Sequence, residues 1–136
     1  MTSTVNRSEI TLLLADDTFE ILSMVKKRFE SRGYNIVEAN NGEEALEQAL
    51  TEHPHLMILD VMMPKMNGWE VCKYIRSKES LSDVGIIMLT AIGPTLNELT
   101  SPLYGADEHL DKPFDLDELE ALVEKVLLDR HEITVS

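Results

Sequence analysis

The segment Ile10-Thr11-Leu12-Leu13-Leu14-Ala15-Asp16-Asp17 is a short apolar run that stops on two carboxylates. A run of that length suits a strand buried on both faces, although on its own it also suits a fragment of helix. Beyond the two carboxylates the period changes. From Thr18 to Arg32, Ile21, Met24, Val25 and Phe29 recur at helical spacing, and Gly33 is placed to end the helix. Tyr34-Asn35-Ile36-Val37-Glu38 then alternates like a strand with one less buried side, hence an edge. Asn41-Gly42 is a turn signal, and Glu43 to Thr51 predicts a short helix with Ala45, Leu46, Ala49 and Leu50 inward.

The same alternation continues to the end of the chain. Leu56-Met57-Ile58-Leu59-Asp60 is a second strongly apolar strand, followed by a helix from Asn67 to Lys78 carrying Trp69, Val71, Cys72 and Ile75. Gly85 to Thr90 is the next strand, and a helix is expected within Pro94 to Leu103, distorted by Pro102. Glu108-His109-Leu110-Asp111 is a brief strand. Asp115 with Glu118 predicts a capping box for a last helix whose inner stripe is Leu116, Leu119, Leu122, Val123 and Val126. Strands alternating with helices imply an α/β fold, a parallel sheet covered on both faces with right-handed crossovers. The expected division is a flexible segment over 1–9, one domain over 10–128 and a loose tail over 129–136.

Composition narrows the function. The chain has 136 residues, enough for one domain and a self-supporting core. Its 12 Lys+Arg against 25 Asp+Glu give a net charge of -13, which opposes binding to nucleic-acid phosphates or anionic membranes. One cysteine, Cys72, excludes an internal disulfide and a thiolate metal site, and it reads as a core thiol. No apolar run is long enough to span a bilayer, and Met1 to Glu9 lacks the apolar stretch of a secretory signal, so a cytoplasmic location is expected. Trp69 reads as a packing residue. His53, His55 and His131 lack metal-ligand spacing.

The informative polar residues fall in equivalent places. Asp16 and Asp17 follow the first predicted strand, Asp60 ends the third, Thr90 the fourth, and Lys112 follows the fifth. In a doubly wound sheet these positions share the carboxyl edge, where ligands bind. Carboxylates so close repel one another unless a cation offsets the field, and Mg²⁺ with its oxygen ligands suits the task. Asp16, Asp17, Asp60 and the Met62 carbonyl are the candidate ligands. With the Lys112 ammonium and the Thr90 hydroxyl, the set is equipped for phosphoryl transfer, Asp60 being the natural nucleophile. A nucleotide cofactor is disfavoured, because Asp16-Asp17-Thr18 stands where a phosphate-binding loop would need glycine and hydroxyl residues.

Leu14-Ala15-Asp16-Asp17, Leu59-Asp60-Val61-Met62-Met63-Pro64, Asn67-Gly68-Trp69-Glu70-Val71, Leu89-Thr90-Ala91 and Gly105-Ala106-Asp107-Glu108-His109-Leu110-Asp111-Lys112-Pro113-Phe114 together resemble the receiver domain of two-component response regulators, of the stand-alone, chemotaxis-regulator-like kind. The resemblance runs from about Ile10 to Leu128 and implies a flavodoxin-like five-stranded parallel sheet of order 2-1-3-4-5. It implies that Asp60 takes a phosphoryl group from a sensor histidine kinase or a histidine phosphotransfer protein. Asp16 and Asp17 would organise Mg²⁺, Thr90 would be the switch hydroxyl, and Lys112, before a cis Pro113, would pair with the phosphoryl group. The output would be a changed surface for a downstream protein, without DNA binding or membrane insertion by this chain. Such a domain catalyses only its own phosphorylation and dephosphorylation.

Two positions depart from the family pattern: His109 occupies the place of the usual switch Tyr or Phe, and Pro102 falls in the fourth helix. Met62 and Ile92 stand where the family tunes water access to the acyl phosphate. The competing readings are a pseudo-receiver that binds partners without phosphate and a Mg²⁺-dependent phosphohydrolase.

Overall fold

The computed structural model describes residues 2–91 and 105–136. In chain order the strands are β1 (Ser3–Val5), β2 (Thr11–Ala15), β3 (Asn35–Ala39), β4 (Leu56–Asp60), β5 (Gly85–Thr90), β6 (Glu108–Asp111) and β7 (Ile133–Val135). The helices are α1 (Phe19–Ser31), α2 (Gly42–Glu52), α3 (Gly68–Ser77) and α4 (Leu116–His131), with single 3₁₀ turns at Arg7–Glu9 and Glu79–Leu81. Five strands pair in parallel in the order β3-β2-β4-β5-β6, which is the expected order once β1 is set apart. The helix expected within Pro94 to Leu103, with Ile92 and Pro102, lies outside the described residues.

Strand alternation builds two cores from one sheet. Leu12 and Leu14 of β2, Leu56 and Ile58 of β4, and Ile87 and Leu89 of β5 point to one face, where α1 and α4 cover them with Phe29, Val25, Leu119 and Val123. Leu13, Ala15, Met57, Leu59, Ile86 and Met88 point the other way, under Ala45 and Ala49 of α2 and Val71, Cys72 and Ile75 of α3. Every residue of β4 and β5 is buried, as parallel strands covered on both sides require. β3 is an edge strand with a mixed burial pattern, as its alternation predicts.

Helix ends follow local chemistry. Gly33, at φ +98°, follows the Arg32 cap of α1, and its N–H donates to the Glu30 carbonyl at 3.0 Å while the Tyr34 N–H donates to Phe29 at 3.2 Å. This is the paired closure that a left-handed glycine permits, and the Phe29 and Tyr34 rings complete it edge to face at 5.7 Å. Asn67 and Glu70 form a reciprocal capping box at α3. The box expected between Asp115 and Glu118 does not form. Asp115 accepts from the Asp117 N–H instead, one residue earlier, which still satisfies a first-turn donor.

Two facial assignments are corrected. Met24 and Leu50 are each 42% exposed, while Leu22 is buried and Leu46 is half-buried. The apolar stripe of α1 turns toward Leu22, Val25 and Phe29 because the helix axis, not the residue list, decides which edge of a stripe meets the sheet. The two chain ends also differ from the expectation of loose segments. α4 continues to His131, and β7 pairs in parallel with β1, Thr4 opposite Thr134. Val5, Ile133 and Val135 pack on the α1–α4 core, so burial of three aliphatic side chains holds both ends in place.

Histidines close the amino edge of the sheet. The Thr11 N–H donates to His55 Nδ1 at 3.1 Å, so His55 carries its proton on Nε2. His131 Nε2 is 2.7 Å from the His55 carbonyl, an acceptor only, and the two rings meet edge on at 5.5 Å. Burial, then the charge of His131, lowers the His55 pKa below its ordinary value, and Asp83 opposes the shift. Below about pH 6.5 the unfolded chain protonates this residue before the native state does, so the contribution of His55 to stability falls as pH drops through that value. The contribution is small, because the ring is half open to solvent. His55→Asn keeps an acceptor for Thr11 but cannot titrate. Urea unfolding at about pH 7.5 and about pH 5 is expected to show the variant gaining stability relative to wild type at the lower pH; a variant-to-wild-type difference that is the same at both values would disprove the role.

Candidate functional site

The carboxyl ends of β2, β4, β5 and β6 lie on the same edge of the sheet, and the five singled-out residues stand at or just beyond them. Asp16 and Asp17 follow β2, Asp60 and Thr90 end β4 and β5, and Lys112 follows β6. Registry brings them level. Ala15 pairs with Leu59, Asp60 with Leu89, and Thr90 with Asp111. The Lys112 N–H donates to the Thr90 carbonyl at 2.8 Å, extending the β5–β6 ladder by one step and directing the lysine over the pocket. The Lys112–Pro113 peptide is cis, as expected.

Lys112 Nζ lies 3.1 Å from Asp16 Oδ2 and 3.3 Å from Asp60 Oδ1. One ammonium therefore bridges two carboxylates, both in residues only 3% exposed. Carboxylate oxygens of Asp16, Asp17 and Asp60 all lie within 4.8 Å of one another, with Asp17 on the solvent side. Asp16 is oriented by its own loop, its Oδ1 accepting the Thr18 N–H at 2.8 Å. This local turn was readable in Asp16-Asp17-Thr18, since an Asp commonly accepts from the N–H two residues on. The Met62 N–H reaches Asp60 Oδ1 at 3.3 Å while its side chain is 62% exposed, so the backbone of Met62 faces the pocket edge.

The electrostatics are unbalanced toward negative charge. Burial, followed by the Asp16 carboxylate, pushes the Asp60 pKa up to about 7; Lys112 and the Met62 N–H pull it down without cancelling the rise. Two buried carboxylates share the Lys112 ammonium, and the exposed Asp17 carboxylate adds a third negative charge beside them. Hard oxygen donors in this number and spacing fit a small divalent cation better than a soft metal, which would call for sulfur or imidazole.

The remaining candidates divide. Thr90 is fully buried at the end of β5. His109 is on β6 opposite Met88, half-buried, on the face away from the buried Leu110 and outside the carboxylate cluster. Trp69 is half-buried beside the α2–α3 core, and Cys72 is fully buried with its thiol pKa raised to about 11 by burial, which suits packing and not redox chemistry. Two residues that bear on the site without polar side chains were missed. Gly42 and Gly68 press against the backbone around Asp60 and Met66. Asn41-Gly42 and Asn67-Gly68 carry a turn signal, but nothing local reports a close approach between distant segments.

A doubly wound sheet with an acidic, lysine-bridged pocket at its carboxyl edge defines a class of α/β signalling domain. The family model described as "Response regulator receiver domain" matches residues 12–124, and the chain belongs to that family. It is 43% identical over 125 residues to "Probable transcriptional regulator ycf27" of Pyropia yezoensis, covering 92% of this chain and 50% of that protein. It is 40% identical over 122 residues to the "Alkaline phosphatase synthesis transcriptional regulatory protein PhoP" of Bacillus subtilis, covering 90% and 50%. The chain thus spans about half the length of these curated relatives. Among solved structures it is similar to Vibrio cholerae chemotaxis protein CheY4, with a TM-score of 0.81 and 31% identity over 87% of this chain and 98% of that one. The receiver domain of Francisella response regulator 1452 gives a TM-score of 0.80 and 32% identity over 86% and 95%.

Proposed function

We propose that this receiver is a phosphorylation-driven switch in which Asp60 accepts a phosphoryl group from a phosphohistidine on a sensor histidine kinase or a histidine phosphotransfer protein. The observation that carries the reading is the Lys112 ammonium held between Asp16 and Asp60, beside a third carboxylate. An Asp60 oxygen forms the new O–P bond while the P–N bond to the donor imidazole breaks, and the imidazole leaves as a neutral ring after taking a proton. Asp16, Asp17, Asp60 and the Met62 carbonyl would hold Mg²⁺, which when bound supplies positive charge to the phosphoryl oxygens. Lys112 supplies a second cation at 3.3 Å from the nucleophile, and burial keeps water from the reacting oxygen.

Thr90 is the proposed hydroxyl that responds to the new phosphoryl group, and His109 the proposed ring that moves with it. Both stand on strands that border the pocket, which would carry a shift at Asp60 toward the surface beside β6. A histidine there brings a hydrogen-bonding ring where the family usually has a larger aromatic. The output is a changed surface for a protein partner. Direct contact with DNA is opposed by the net charge of -13. No helix among the described residues is long and apolar enough to cross a membrane, and we assign the cytoplasm as the working compartment because phosphohistidine donors act there.

Incubation with Mg²⁺ and a small amidophosphate or acyl phosphate donor, followed by intact mass spectrometry, is expected to show the addition of one phosphate. The addition should be absent in Asp60→Asn. No gain by the wild-type chain would instead identify a phosphate-independent interaction module. A gain that survives Asp60→Asn would place the acceptor elsewhere.

A further inference from the structure

We propose that the first turn of α2 is a positioning strut for the loop between Asp60 and α3, and that Gly42 sets where that loop lies; this rests on the reading of Asp60 and Met62 as metal-site residues. The loop from Val61 to Asn67 carries the Met62 carbonyl. Its near end is fixed by the sheet, the Val61 N–H donating to Leu89 at 2.9 Å and the Gly68 N–H returning to Val61 at 2.8 Å. Gly68 is pressed on the backbone of Asp60. A Cβ there would overlap the Asp60 carbonyl oxygen and lie 3.0 Å from its carbonyl carbon.

The far end of the loop rests on α2. The chain turns at Lys65, φ +70°, and the Met66 N–H closes the turn on the Pro64 carbonyl at 2.8 Å. The Gly42 N–H points at that same carbonyl from 3.4 Å. A Cβ on Gly42 would overlap the Met66 carbonyl oxygen, lying 2.5 Å from Met66 Cβ and 2.6 Å from its carbonyl carbon. The obstacle is mainly backbone, so no side-chain rotation relieves it. A larger residue at 42 has to separate the helix from the loop.

Which of the two yields is set by how each is held. α2 is anchored by its Asn41 cap, whose Oδ1 accepts the Glu44 N–H at 2.9 Å, and by Ala45 and Ala49, both fully buried under the sheet. Between Met62 and Asn67 the loop belongs to no strand or helix. The loop therefore moves, and the 3.3 Å bond from the Met62 N–H to Asp60 Oδ1 is the contact nearest the chemistry that it stretches. The three atoms nearest a Cβ on Gly42 all belong to Met66, so its effect passes through the loop, which makes it a positioning residue.

The test is Gly42→Ala. Alanine is the better helix former, so helix propensity alone would favour the variant and any loss comes from the overlap. Titration of Mg²⁺ followed by the fluorescence of Trp69, the one tryptophan and the residue after Gly68, is expected to show Kd raised by about tenfold or more. Gly33→Ala is the matched control. It strains a left-handed glycine at the opposite edge, with its nearest neighbour 3.7 Å away, and should lose stability without losing Mg²⁺ affinity. In metal-free protein, the Met62 and Asp60 amide resonances should move in Gly42→Ala and stay in Gly33→Ala. Asn41→Ala, which only uncaps the same turn, serves if Gly42→Ala does not fold, and is expected to raise Kd about threefold. A Kd within about twofold of wild type in the folded variants, with unmoved amides, overturns the strut. Failure of the wild-type chain to bind Mg²⁺ would overturn the metal-site reading instead, and the amide shifts would still decide the strut.

Discussion

Lys112→Ala is expected to slow phosphoryl uptake by Asp60 about 10²- to 10³-fold at neutral pH. Two separable effects contribute. The ammonium at 3.3 Å from Asp60 Oδ1 is positioned to stabilise charge on the transferring group, and removal of one preorganised donor of this kind commonly costs about 3 to 4 kcal/mol of barrier. The same ammonium also lowers the Asp60 pKa, so its loss pushes that value beyond about 7 and leaves less ionised nucleophile. The two can be told apart by pH. Raising the reaction to about pH 9 should recover the ionisation part and leave the transition-state part. The measurement is the initial rate of mass gain with Mg²⁺ and a small phosphodonor, at both pH values. A loss below about fivefold would remove Lys112 from the reaction.

The second large effect concerns the protein without metal. Burial and Asp16 raise the Asp60 pKa from 3.8 to about 7. Between those values the native state holds a proton that the unfolded chain has lost, so stability falls as pH rises through that window. The full shift corresponds to a ceiling of about 4 kcal/mol, of which the two units between about pH 5 and about pH 7 make at most about 3, and local relaxation brings the expected loss over that range to about 1 to 3 kcal/mol. Urea unfolding with a chelator present, at about pH 5 and about pH 8, measures it. Asp60→Asn, similar in shape and uncharged, should flatten the slope and be the more stable protein at the higher pH. Millimolar Mg²⁺ should restore wild-type stability there, because an ion that binds only the native cluster adds its binding free energy to folding. A wild-type chain that grows more stable from pH 5 to pH 8 without metal would show that the carboxylates are not in conflict.

A local instability at the carboxyl edge thus ties the fold to its function. The α1–α4 and α2–α3 cores can hold a buried, under-compensated carboxylate cluster because every residue of β4 and β5 is packed on both sides. Like-charge repulsion of this kind at one edge of a rigid sheet is what a bound cation can relieve and a phosphoryl dianion would increase. Relief changes the energy of the loops, not of the core, and places the response at the surface.

Much of the fold and of the site is legible in the residues, and the limits of legibility are specific. The strands over Leu56–Asp60 and Gly85–Thr90 match the apolar runs residue for residue, because a strand buried on both faces leaves an unbroken signal, whereas Glu108–Asp111, with only Leu110 buried, leaves a brief one. Gly33 was readable as a helix end because its conformation is set by neighbours within four residues. Met24 and Leu50 were misassigned to the buried faces, since an apolar residue at the margin of a stripe is buried or not according to the tilt of its helix. The capping box assigned to Asp115 belongs to Asn67, where the spacing is the same but the backbone brings both partners into reach.

The sequence by itself determined the alternation of strands and helices, the order of the sheet through its family resemblance, and which carboxylates reach one edge. Each of these depends on local periodicity or on residues placed at strand ends. Tertiary structure alone decided that one lysine bridges Asp16 and Asp60, that β1 and β7 join the chain ends, and that Gly42 bears on the loop carrying Met62. Those contacts join residues far apart in the chain, and their energies depend on distances of a few ångströms between elements. No local pattern records such a distance, because it is set only when the two cores close on the sheet.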